Sequence, residues 1–286
     1  MNALIVARFT IQEAISRRLI LAGVIISLAF VGLFALGFSL LYGWAESEGE
    51  MGRGGSLVTV FAGTALTVLG LYSVHFLSSF LALFLSVGAI SSEIDSGTLH
   101  AVLARPIRRL EFVVGRWIGV AGLMLAYVGA MASLVLLVAF LIAGYEPTSA
   151  PRTVALMALG SVLLLTVSLF GSTVLSTLAN GVVVFSLFGL AWIAGIIEFI
   201  GRNLGNQAMV NLGIVVSLIV PSDEVWRSAS YYAQSPAFLL AAGGRGGDSI
   251  PFFSTLAPTA PFLIWALIYP LLFLSLAVLA FSRRDL

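Results

Sequence analysis

Residues 91–117 of the chain, SSEIDSGTLHAVLARPIRRLEFVVGRW, form a dense polar stretch between two long apolar runs. The chain has 14 basic and 13 acidic residues, and seven of these charged residues lie in this stretch. The flanking runs, 66–90 and 117–145, contain no Asp, Glu or Arg. A bilayer core about 30 Å thick needs roughly 20 apolar residues per helix, so both runs can cross it. The polar stretch is therefore predicted to be a loop at a membrane face, turned toward solvent or a partner.

The composition predicts an all-α polytopic membrane protein. Hydrophobic residues make up 60% of the 286 and charged residues only 9%, whereas about a quarter of the residues of soluble domains are charged. The chain has no cysteine, which excludes disulfides, thiolate nucleophiles and cysteine metal ligands. We expect one transmembrane domain over residues 1–286. Its six predicted spans are 19–42, 66–90, 117–143, 154–178, 182–200 and 262–281.

The distribution of arginine predicts the orientation of the spans. Six spans place both termini on one side of the membrane, and nine of the 14 basic residues, all of them Arg, fall on that side. The positive-inside rule makes this side cytoplasmic. The first apolar run is too long for a signal peptide and is expected to remain as a span. The net charge of +1 gives no indication of a nucleic-acid partner.

Two segments outside the spans are predicted to be helical. Residues 1–18 carry four apolar side chains at helical spacing, namely Leu4, Ala7, Ile11 and Ile15. This pattern indicates an interfacial helix lying on the membrane. Between spans five and six, the apolar run 208–220 is too short to cross the core. We expect it to enter the outer leaflet, and Pro221 and Ser222 to begin a second helix after it.

Within the polar stretch, the sequence predicts a two-turn helix lying across the membrane face. Thr98 can cap its start, and Leu99, Val102 and Leu103 follow the i, i+3, i+4 spacing of one apolar face. Pro106 prevents its continuation, because the residue before a proline is driven toward extended geometry. From the residues alone, two interpretations stay open. The stretch is either an arginine-rich anchor at the lipid headgroups or a helix that docks in a groove on another protein.

A family resemblance favours the docking helix. The order Gly97-Thr98-Leu99, a short helix, Arg105-Pro106-Ile107-Arg108-Arg109, Glu111-Phe112 and Gly115-Arg116-Trp117 resembles permease subunits of type 2 ABC transporters. Arg116 stands where Lys is usual in that pattern, which keeps the charge. The resemblance extends along nearly the whole chain, including the six spans and the long segment before the last one.

The resemblance implies a transport subunit of the prokaryotic inner membrane that is not itself an enzyme. Two permease protomers, expected here as a homodimer, would work as an exporter with two cytoplasmic ATPase subunits, which hold ATP and Mg²⁺. This chain would bind no cofactor, and it has neither lysine nor a GxxxxGK[ST] sequence for phosphate. The residues implied in ATPase coupling are Glu93, Asp95, Gly97, Thr98, Leu99, Val102, Leu103, Arg105, Pro106, Arg108 and Arg109.

Two other classes of function remain as alternatives: an ion-coupled carrier, and a membrane-embedded enzyme acting on lipids or peptides. Either needs ionisable groups at membrane depth, and the predicted spans offer only His75 and Glu198. We expect Glu198 to pair with Arg202 four residues on. His75 with the methionines of neighbouring spans, Met124, Met131 and Met157, leaves a soft-metal path open as an alternative, but we favour packing for these side chains. The GxxxG at Gly115 and Gly119 is too common a motif to predict a contact.

Overall fold

The computed structural model describes residues 2–16, 18–51, 55–95, 108–243 and 253–284, and these residues contain helices and no strand. In chain order the helices are α1 Asn2–Ser16, α2 Arg18–Met51, α3 Gly55–Ser86, α4 Ser91–Asp95, α5 Arg109–Ala143, α6 Ala150–Val174, α7 Thr177–Leu204, α8 Gln207–Ile219, α9 Ser222–Ala233, α10 Pro236–Gly243 and α11 Ala260–Ser282. Six of these are long and apolar enough to cross a membrane, namely α2, α3, α5, α6, α7 and α11. The predicted all-α polytopic fold is thereby confirmed.

The helices do not end where the apolar runs end. α5 begins at Arg109, eight residues before the predicted start of the third span, because Phe112 and Arg116 are buried by neighbouring helices. α3 instead stops at Ser86, and a turn at 87–90 leads into α4. Ser91 is only 2% exposed. Part of the polar stretch is therefore packed inside the protein, which corrects the expectation that all of it faces outward.

α6 lies at the centre of the bundle. In the most apolar 18-residue stretch of α6, 61% of the residues are buried, whereas the corresponding fraction for α2 at the periphery is 11%. Contacts with α6 come from α3, α4, α5, α7, α9 and α11. The main core cluster is made by side chains from several of these helices, including Leu71, Met124, Met157, Leu165 and Trp226. Burial of apolar side chains at this density makes α6 the element against which the other spans are placed.

The first and last described residues, Asn2 and Arg284, lie at one end of the bundle, which we call the terminal end; the opposite end is the far end. α1 packs along the first turns of α5, and the last turn of α11 is bonded to Arg109 at the start of α5. At the far end, α5 and α7 each close with a left-handed glycine, Gly144 at φ +58° and Gly205 at φ +65°. Glycine takes this conformation without a Cβ clash, so both helices stop there.

A helical hairpin fills the connection between α7 and α11 at the far end. α8 and α9 are separated by a short break and meet at an angle of 100°. The side chain of Asn206 caps α8 by accepting hydrogen bonds from the N–H groups of Ala208 and Met209, at 3.1 and 3.3 Å. α9 begins directly after Pro221, as the sequence predicted. It carries Trp226, which is 1% exposed, into the main core.

Candidate functional site

The predicted coupling residues fall into two groups. Glu93, Asp95, Arg108 and Arg109 belong to the described residues, and they stand at the two ends of the segment 96–107. The other seven lie outside the described residues: Gly97, Thr98, Leu99, Val102, Leu103, Arg105 and Pro106. The two-turn helix therefore stays a prediction. Its supports on both sides can be described in detail.

Arg116 is the centre of the first support. Its Nη1 donates to Glu13 of α1 at 2.6 Å, and its Nη2 pairs with Glu93 of α4. The guanidinium carbon also lies 5.8 Å from the centre of the Phe112 ring. One nearly buried cation thus bonds to two carboxylates from separate elements and holds α1, α4 and α5 together. We call Arg116, Glu13 and Glu93 the terminal-end node.

Two glycines allow α1 to reach this node. A Cβ at Gly115 would lie 2.6 Å from the carbonyl oxygen of Ala3, and a Cβ at Gly119 would lie 2.7 Å from the Cβ of Thr10. The GxxxG motif of α5 is therefore the seat of α1, a contact that the sequence analysis did not predict. Small residues at such positions let two helices approach closely.

The face of α1 that packs on α5 differs from the predicted apolar stripe. The buried residues are the smaller ones: Val6, Ala7, Thr10 and Ala14. Leu4 and Ile15, which belonged to the predicted stripe, are 67% and 60% exposed, and Phe9 is 65% exposed. Only small side chains fit against the glycines of α5, so the large apolar ones point away from the protein. That outer face suits contact with the bilayer.

Arg108 and Arg109 make the second support, on the other side of the segment 96–107. The backbone N–H of Arg108 donates to the Glu111 carboxylate at 3.3 Å, which stabilises the start of α5. Nη1 of Arg109 lies 3.2, 2.9 and 2.8 Å from the carbonyl oxygens of Phe281, Ser282 and Arg284. A cation at a helix C-terminus satisfies carbonyl groups that have no partner within the helix. Arg109 therefore joins α5 to α11.

A second group of charges lies at the far end. Glu198 of α7 accepts from Arg202 at 2.5 Å, which confirms the pair expected from the i, i+4 spacing. Its other oxygen lies 3.4 Å from Nη1 of Arg227 in α9, a contact that the sequence did not reveal. Arg227 also pairs with Asp223 and Glu224 at 3.3 and 3.7 Å. We call these five residues the far-end network.

The far-end network borders a cavity of about 130 Å³. Arg202, Glu224 and Arg227 line it together with six residues of the segment that leads into α11, namely Phe253, Ser254, Leu256, Ala257, Pro258 and Thr259. The network ties α9 to α7, because Arg227 bonds both to Glu198 and to the carbonyl oxygen of Gly195. The hairpin is thus fixed by charge to a membrane span, beside open space.

His75 lies in the core of the bundle. It is 4% exposed and stacks on Trp226, with ring centroids 5.2 Å apart and an interplanar angle of 24°. Its Nδ1 has no hydrogen-bond partner among the described residues. The three methionines considered with it, Met124, Met131 and Met157, are buried in the apolar core. The described residues contain no group of three or more His, Cys, Asp or Glu that could hold a metal ion.

Comparison with known proteins identifies the chain. No curated protein sequence matches it. The family described as ABC-2 family transporter protein matches residues 10–286, which include α2 to α11 and both supports of the segment 96–107. The members of this family are membrane-spanning subunits of ABC transporters, in agreement with the six apolar helices described above. The chain therefore belongs to the ABC-2 family of transporter proteins.

Proposed function

We propose that this chain couples ATP hydrolysis on a separate ATPase subunit to export of a substrate across the prokaryotic inner membrane. The observation that carries the proposal is the pair of supports at the terminal end. Arg116 fixes α4, on one side of the segment 96–107, and Arg109 fixes the start of α5 on the other. When a loop that is bonded at both ends is displaced, the helices that hold it are displaced with it. A loosely attached loop moves without displacing its neighbours.

In this mechanism the terminal end faces the cytoplasm, as the arginine distribution predicts. Leu99, Val102 and Leu103 dock in a groove of the ATPase, and closure of two ATPase subunits around ATP and Mg²⁺ moves the segment 96–107. The terminal-end node turns this movement into a joint displacement of α1, α4 and α5. Two copies of the chain enclose the pathway.

The experiment is to co-express the chain with the ATPase encoded beside it and to measure copurification and ATPase activity in liposomes. We expect the triple substitution of Leu99, Val102 and Leu103 by Asp to abolish copurification, because a charged face cannot enter an apolar groove. His100→Asp is the matched control, since it adds charge to the same segment away from the predicted stripe. The triple variant binding and stimulating the ATPase like the unchanged chain would contradict the proposal.

A further inference from the structure

Asn180 connects two helices and a turn at the terminal end. It is the fourth residue of α7 and is completely buried. Its Nδ2 donates to the carbonyl oxygen of Val87 at 2.8 Å and to that of Ser168 in α6 at 2.9 Å. Both partners are carbonyl groups, which only accept, so the orientation of the amide is fixed by chemistry. One side chain thus joins α6 and α7 to the turn that follows α3.

The position of Val87 gives this bond its importance. Val87 begins the turn 87–90, which leads directly into α4 and, through Glu93, to the terminal-end node. A second bond runs parallel to that of Asn180: the hydroxyl groups of Ser91 and Thr177 lie 2.7 Å apart. The beginning of α7 is therefore bonded at two points to the chain segment 87–91.

The amide of Asn180 is not fully satisfied. Its Oδ1 has no hydrogen-bond partner among the residues that the structure describes. It points at Gly171 of α6, where any side chain would collide with it. A buried carbonyl oxygen without a partner is energetically unfavourable, because it has lost its hydrogen bonds to water. An apolar side chain of the same shape would avoid this cost but would lose both donated bonds, so the asparagine joins α6 and α7 to the turn with one oxygen left unsatisfied.

We propose that Asn180 is a positioning residue that makes α6 and α7 follow the segment 87–95 when the adjoining loop is displaced. This inference rests on the proposed function, which supplies the displacement. The Arg116 bonds move α1, α4 and α5 together. Asn180 extends the movement to α6, the central helix, and to α7, whose far end carries Glu198 and the helical hairpin.

The test uses the complex of the chain with its ATPase in liposomes. The chain has no cysteine, so Leu204→Cys, at the exposed far end of α7, provides a single labelling site. Its rate of alkylation by an impermeant maleimide is compared with and without ATP and vanadate. In the unchanged background we expect the rate to change about five-fold or more, because coupling between linked sites is commonly of that size.

Asn180→Leu keeps the branched shape and removes both donors. We expect it to copurify with the ATPase, to retain ATPase activity and to lose most of the nucleotide-dependent change in labelling. Asn211→Leu, on exposed α8, is the matched control and should keep the full change. Thr177→Val should reduce the change and Thr177→Ser should restore it, because only the serine keeps the bond to Ser91.

The two proposals fail in different ways. A chain without these substitutions that neither binds the ATPase nor responds to nucleotide contradicts the proposed function, and the inference falls with it. If that chain responds and Asn180→Leu responds equally, only the inference is overturned. If Asn180→Leu does not fold, the comparison of Thr177→Val with Thr177→Ser decides. A full response of Thr177→Val then overturns the inference that α7 follows the segment 87–95 through these bonds.

Discussion

Two largely enclosed arginines, Arg116 at the terminal end and Arg227 at the far end, show how similar ion pairs serve different purposes. Each side chain is 11% exposed and faces more than one carboxylate. The partners of Arg116 come from α1 and α4, which are distant in the chain. Two of the three carboxylate partners of Arg227 are in its own helix, and the third is in α7. Arg116 therefore assembles separate elements, whereas Arg227 attaches one hairpin to one span.

The space around the two arginines differs as well. The cavity beside Arg116 is about 20 Å³, and the one beside Arg227 is about 130 Å³. A tightly packed node moves as one body, because close-packed interiors transmit strain. A network beside open space has room to rearrange. The comparison associates the terminal end with transmission of movement and the far end with local adjustment.

The largest effect is expected from Arg116→Ala. It removes the cation that joins Glu13 to Glu93, and removing one partner of a buried pair costs about 3 to 5 kcal/mol. The lower part of that range applies, because the Glu13 side chain is 41% exposed and regains water. Thermal unfolding in detergent measures the loss. Arg152→Ala, which removes an exposed arginine 5.1 Å from the Tyr232 ring, is the control. Equal midpoints for both variants would contradict the assembling role of Arg116.

A smaller loss is expected from Arg227→Ala, because Glu198 keeps its bond to Arg202. With one cation left, we expect about 2 to 3 kcal/mol, below the full cost of an unpaired buried charge. Measured in the same way, Arg227→Ala should unfold at a higher temperature than Arg116→Ala. The reverse order would show that the far-end network, not the terminal-end node, contributes more to assembly.

The smallest effect is expected from Gly115→Val, which tests whether the seat of α1 needs a glycine. Its side chain would meet the backbone of Ala3 and the side chain of Val6, and overpacking costs about 1 to 3 kcal/mol. We expect α1 to become accessible to protease while the spans stay folded. Gly122→Val is the matched control on the same helix, because a Cβ there meets nothing within 4 Å. Equal protease resistance of the two variants would show that α1 is held mainly by Arg116.

The sequence predicted contacts between neighbours along the chain and missed those between distant residues. The pair of Glu198 and Arg202 followed from the spacing of one helix turn, and the start of α9 followed from Pro221. Arg227 was not predicted as a partner of Glu198, because the hairpin angle that joins them is not encoded locally. Asn180 was missed for the same reason. A single asparagine at the start of a span gives no sign of the two carbonyl groups that it will meet.

The sequence by itself determined that this chain is a helical membrane protein with six spans and a charged loop. The thickness of the bilayer fixes how long an apolar span must be and keeps charged residues out of its core, and both properties can be read from neighbouring residues. It also carried the loop motif whose resemblance agrees with the family match over residues 10–286. Only the tertiary structure decided that α5 begins at Arg109 and that α1 rests on Gly115. A charged residue can continue a helix into the protein only when distant carboxylates or carbonyls satisfy it, and their position depends on how the whole bundle packs.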